Sequence, residues 1–131
     1  MASANGGIIG KDNIPVDNGQ AENISTFNAS GTLTTGSQTT SVEYLVIAGG
    51  GGAGSTVSGG GGAGGYRTAS GFSVSASTDY SITVGAGGAQ SNAGNSSAMH
   101  GSDSVFSTIT SEGGGYGAGF QGEGDLSLIH I

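Results

Sequence analysis

The chain has no cysteine, no tryptophan, one proline and only two basic residues, Lys11 and Arg67, in 131 positions. Each shortage excludes something. Without cysteine there is no disulfide framework, no thiolate metal site and no cysteine nucleophile. Two cations against nine carboxylates, a net charge of −7, exclude nucleic acid as a partner, because binding it needs cationic groups that displace counterions. Long apolar runs are missing too, and the longest are too short to cross a bilayer, so no membrane insertion is expected. One proline and no strict G-X-Y period exclude collagen. Leu, Ile, Val and Phe together supply 24 residues, 18% of the chain. That is near the level of disordered chains, but charged residues are only 8%, and disorder of that kind also needs charge.

What is there is glycine, 30 residues of it. The distribution divides the chain. Residues 1–21 are small, polar and aperiodic and read as a flexible N-terminal arm or linker. Residues 22–125 read as one glycine-rich domain, cut short at its far end. Residues 126–131, Leu-Ser-Leu-Ile-His-Ile, break the composition abruptly and resemble the translated end of a sequencing-library adapter, so they are set apart from the fold.

Within the domain, alternation of apolar and polar residues marks strands. Residues 24–29 and 31–34 read as a loose hairpin turning at Ala29-Ser30-Gly31. Residues 42–48 are the strongest strand, with Val42, Tyr44, Val46 and Ala48 on one face and Glu43, Leu45 and Ile47 on the other. Its second half is apolar enough to be buried on both faces. Residues 66–69 lead to a further strand at 72–76. Residues 79–84 point Tyr80, Ile82 and Val84 inward, and 104–110 form the last strand. No window carries apolar residues at helical spacing, so essentially no α-helix is expected.

Glycine blocks separate these strands: Gly49, Gly50, Gly51, Gly52 and Gly54; Gly59, Gly60, Gly61, Gly62, Gly64 and Gly65; Gly85, Gly87 and Gly88; Gly113, Gly114 and Gly115. Ordering a glycine costs more backbone entropy than ordering any other residue, so ordered blocks need a compensating source of energy. Extended polyglycine helices with three residues per turn have no internal hydrogen bonds. Without Cβ atoms they can lie close enough to bond to one another. The expected fold is therefore mainly β, with packed polyglycine II helices and no apolar core of ordinary size. Ala53, Ala63, Ala86 and Ala118 are expected at tight positions where only the smallest side chain fits.

Sequences suggestive of chemistry are few. The stretch from Tyr44 through Gly54 matches a strand followed by G-x-G-x-x-G, using Gly49, Gly51 and Gly54. The dinucleotide-binding mechanism needs a helix to start there, and more glycines follow instead. No lysine follows any glycine block, so a P-loop fails as well. His100 beside Asp103 reads as a solvated loop residue, and the scattered carboxylates form no acid–base pair. No enzyme activity, catalytic residue, metal or cofactor is expected. Tyr66, Arg67, Tyr116 and Phe120 are the candidate binding residues, as aromatic platforms and the one cation of the glycine region. The polar stretch from Gln90 to Ser102 is the candidate binding loop, since binding residues concentrate on loops.

The stretch Val42-Glu43-Tyr44-Leu45-Val46-Ile47-Ala48-Gly49-Gly50-Gly51-Gly52, continuing through Gly60-Gly61-Gly62-Ala63-Gly64-Gly65-Tyr66-Arg67-Thr68, resembles the glycine-rich domain of phage tail-fibre and virion structural proteins found in environmental viral sequences. Tyr80-Ser81-Ile82-Thr83-Val84-Gly85-Ala86-Gly87-Gly88 matches the same family. The resemblance covers about residues 22–120. It implies a non-enzymatic structural or adhesin domain on a virion, with a host-cell receptor or glycan as partner and a fibre trimer as assembly. Two other readings stay open: a microbial cell-surface or extracellular structural protein, and an ice-binding polyglycine bundle.

Overall fold

The computed structural model describes residues 23–55, 58–91 and 98–118. Six strands lie in chain order: β1 (Gly31–Thr34), β2 (Ser41–Ile47), β3 (Tyr66–Ser73), β4 (Asp79–Thr83), β5 (Ser104–Phe106) and β6 (Ile109–Ser111). They make two antiparallel sheets, one ordered β1-β4-β5-β6 and one formed by β2 and β3. The described residues contain no helix, and the protein is mainly β.

The strands follow the period-two pattern with three departures. Residues 24–29 form no strand, and β1 pairs instead with the distant β4. That pairing is fixed at its ends by side chains: Thr34 Oγ1 donates to Asp79 Oδ1 at 2.6 Å, and Ser30 Oγ accepts from Val84 N–H at 3.0 Å. The expected strand at 104–110 is a tight hairpin of β5 and β6, turning at Ser107, whose φ of 53° supplies the left-handed conformation that short hairpins use. The two pieces expected at 66–69 and 72–76 are joined in one strand, β3. Ser70 and Gly71 face the single residue Glu43 across the ladder, and Gly71 has φ 73°. A Cβ on Gly71 would meet nothing within 4 Å. Backbone conformation, not crowding, requires glycine there.

The apolar core is small. Tyr44 of β2, Phe72 of β3, Phe106 of β5 and Tyr80 of β4 meet with ring centroids 5.5–6.1 Å apart. Phe106 is buried at the centre and joins the two sheets. The other face of β2 stays open: Leu45 and Ile47 are each 56% exposed, opposite Thr68 and Tyr66. Burial on both faces, expected for the second half of this strand, is not found. Only β2's inner face is covered, because the β5–β6 side of the four-stranded sheet packs there and nothing among the described residues packs outside.

Candidate functional site: the glycine bundle

Five segments outside the strands are bonded to one another through their backbones. They are g1 (48–54), g2 (59–65), g3 (85–91), g4 (98–102) and g5 (112–118). Segment g1 donates to g2 from Ala48, Gly51 and Gly54, to the carbonyls of Gly65, Gly62 and Gly59. It donates to g4 from Gly49 and Gly52, to Ser102 and Met99. It accepts from g3 at Gly50 and Ala53, and from g5 at Gly49 and Gly52. Further bonds join g2 to g5, g3 to g4 and g4 to g5, at 2.7–3.2 Å throughout. Wherever two segments share more than one bond, the register steps by three residues.

These segments continue the strand pairs without a slip. Along β2 and β3 from Tyr44↔Ala69 onward, partner numbers sum to 113, and the g1–g2 bonds keep that sum to Gly54 and Gly59. The β4–β5 ladder and the g3–g4 bonds share a sum of 188. The β5–β6 ladder and the g4–g5 bond share 215. At two of the junctions a side chain accepts the N–H that the change of period leaves over. Ser104 Oγ takes Gly85 N–H at 2.9 Å, and Asp103 Oδ1 takes Gly113 N–H at 2.8 Å.

Close approach explains the glycines. A Cβ at Gly51 would overlap the carbonyl of Gly115, at Gly61 that of Gly51, and at Gly114 that of Gly62. Gly60 has nothing within 4 Å of its Cβ position. Three residues further on, in the same phase, stands Ala63, which is exposed, as are Ala53 and Ala86, while Ala118 is half-buried. Of the four alanines expected at tight positions, three therefore mark open ones, because the tight positions exclude even a methyl group.

The candidate binding residues do not converge. Tyr66 is 64% exposed at the start of β3, opposite Ile47, and Arg67 is exposed opposite Val46. Tyr116 lies in g5 with its ring edge-on to His100 of g4, centroids 4.7 Å apart. Phe120 lies outside the described residues. Residues 98–102 of the expected binding loop are not a loop: they form g4, which bonds to three neighbours. Composition hid this segment because it carries one glycine, Gly101, where a Cβ would overlap the Gly49 carbonyl of g1. The G-x-G-x-x-G stretch is the middle of the bundle and leads into no helix.

Among the described residues no group of three or more His, Cys, Asp or Glu is placed to hold a metal ion. No helix there is long and apolar enough to cross a membrane. What the site offers is a backbone-bonded scaffold. Its ends gather at one place, where Gly54 bonds Gly59, Gly59 bonds Ala118 and Ala53 bonds Ser91. No curated protein and no solved structure matches the chain. A family model for a glycine-rich domain matches residues 4–128, and the chain belongs to that family.

Proposed function

We propose that the protein is a non-enzymatic structural or adhesin domain of a phage tail fibre or virion surface protein, in which g1 to g5 are polyglycine II helices. The observation that supports the reading most is the bonding of g1 to four neighbours with no side chains between them. Such a bundle resists bending through its amides and needs little apolar material. It sets the ends of two hairpins, g1–g2 and g3–g4, beside the exit of g5. Connections held on a stiff frame are where attachment residues concentrate. The partner in this reading is a host-cell receptor or surface glycan, and the location is the virion.

Antibodies raised against the purified chain test the location. Applied to the virus-sized and cell-sized fractions of an environmental sample that carries the gene, they are expected to label particles, at fibres or surface. Labelling confined to cell envelopes would replace this reading with that of a cell-surface structural protein.

A further inference from the structure

Round g1 the neighbours stand in the order g2, g5, g4, g3. Segment g2 bonds g5, g5 bonds g4 and g4 bonds g3, while no bond among the described residues joins g2 to g3. Segments bonded at one common spacing, about 4.8 Å, make three equilateral triangles about g1. Segments g2, g1 and g3 therefore lie nearly in line as one layer, with g4 and g5 as a second layer on one side of it. The other side of the first layer is bare among the described residues.

Glycine stands on this bare side where neither crowding nor conformation within one copy requires it. A Cβ at Gly60 would meet nothing within 4 Å. At Gly50 it would rest in ordinary contact, 3.5 Å from the Gly62 carbonyl oxygen, and at Gly87 3.7 Å from that of Gly50. Among the described glycines only Gly71 has a positive φ. Ala53 and Ala63, in phase with Gly50 and Gly60, are exposed. The layer is flat to within a methyl group, although ordering glycine costs more than ordering alanine. Glycine that the fold itself does not need marks the close approach of another backbone.

We infer that this bare side is an interface with a second copy of the chain, the two g2–g1–g3 layers stacking face to face about a two-fold axis. The face carries both donors and acceptors, as a surface that meets its own copy must. Gly50 N–H points there, since the N–H groups of Gly49 and Gly51 are turned to g4 and g2. The Gly51 carbonyl points there too, since those of Gly49 and Gly50 are taken by g5 and g3. Either chain direction serves, because g1 already bonds parallel to g3 and g5 and antiparallel to g2 and g4. Segments g1, g2 and g3 hold no charged residue in a chain of net charge −7, so two copies meet there with least repulsion. Seven residues at about 3.1 Å each and three segments about 4.8 Å apart make a face of about 300 Å². The outer face of β2 continues it, with Leu45 and Ile47 exposed beside Tyr66. Together they cover about 900 Å² over both copies, the range of weak, concentration-dependent association.

Sedimentation equilibrium on the full chain tests the inference. A monomer–dimer equilibrium is expected, half-associated between about 10 μM and 1 mM. Ala63→Glu sets a carboxylate in the interface of both copies and is expected to weaken association at least about tenfold, with amide protection of Gly49 and Gly52 unchanged. A Cβ at Gly88 turns to g4 and one at Gly87 to g1, so Ala89 turns off the free edge of the layer. Ala89→Glu adds the same charge there and is expected to change association less than about threefold. In mixtures of isotope-labelled and unlabelled unaltered chain, nuclear Overhauser contacts are expected between the Ala53 and Ala63 methyl groups of one copy and Gly50, Gly60 or Gly87 of the other. A monomer up to about 1 mM would overturn the inference. So would an open-ended series of larger assemblies, equal weakening by the two variants, or intermolecular contacts confined to g4 and g5. If Ala63→Glu does not fold, the contacts in the unaltered chain decide alone.

Discussion

Residues 44–47 and 48–54 pair with one partner stretch in one unbroken register, yet they are held by different means. In the first, side chains alternate, and the inner ones bury an aromatic cluster around Phe106. In the second the only side chains are the methyl groups of Ala48 and Ala53, and the backbone bonds to four neighbours, g2, g3, g4 and g5, where a strand bonds at most the strands on either side of it. The sheet half depends on what its side chains displace from water. The glycine half depends on how close backbones can come. Bonding to g2 at every third residue exchanges a pleated ladder for a bundle without changing which stretch is paired with which.

The sharpest way to break this comparison is to add a methyl or isopropyl group where backbones touch. Gly51→Val is expected to abolish the folded state, a loss of more than about 4 kcal/mol, because the obstacle is a backbone carbonyl that no rotamer change can move. Loss of the folded spectrum by circular dichroism and of slow amide exchange would record it. A folded Gly51→Val would mean that the segments are not packed as described. On the sheet side the counterpart is Phe106→Ala, which leaves a cavity between the two sheets and is expected to cost about 3–5 kcal/mol in denaturant titrations.

A junction change comes next. Asp103→Ala removes the acceptor of Gly113 N–H and is expected to cost about 1 kcal/mol, whereas Asp103→Asn, which keeps a carbonyl oxygen, should cost less. Equal losses in the two variants would show that the carboxylate's charge matters, not its hydrogen bond. The smallest change has the opposite sign. Gly60→Ala, beside the forbidden Gly61, meets open space and narrows the unfolded ensemble, so it is expected to stabilise by about 0.4–1 kcal/mol. Gly61→Ala is expected to destabilise, and thermal melts of this neighbouring pair separate close packing from composition.

The sequence disclosed the strands that carry large side chains, because alternation such as Tyr80-Ser81-Ile82-Thr83 is visible without knowing the partner. It did not disclose that β1 pairs with β4, since nothing within residues 24–34 refers to a strand nearly fifty residues away. In the glycine blocks a uniform composition hides the phase. The phase is carried by the exceptions: Ala86 and Ala89, three apart, are both exposed, as are Ala63 and Tyr66. Those spacings were present in the sequence, but only the bonds to neighbours show that they mark the outside of the bundle. Segment g4 was hidden for the converse reason: with neighbours on only some sides it needs one glycine, and its residues Met99 and His100 look like those of any polar loop.

A fold whose middle is peptide packed on peptide also has a distinctive response to temperature. Heat capacity rises on unfolding when hydrocarbon is hydrated and falls when polar groups are hydrated. Among the described residues the side chains around Phe106 supply most of the first term, while the glycine segments supply the second. The stability curve should accordingly be shallow and broad, with less of the weakening in the cold that besets proteins built around oil.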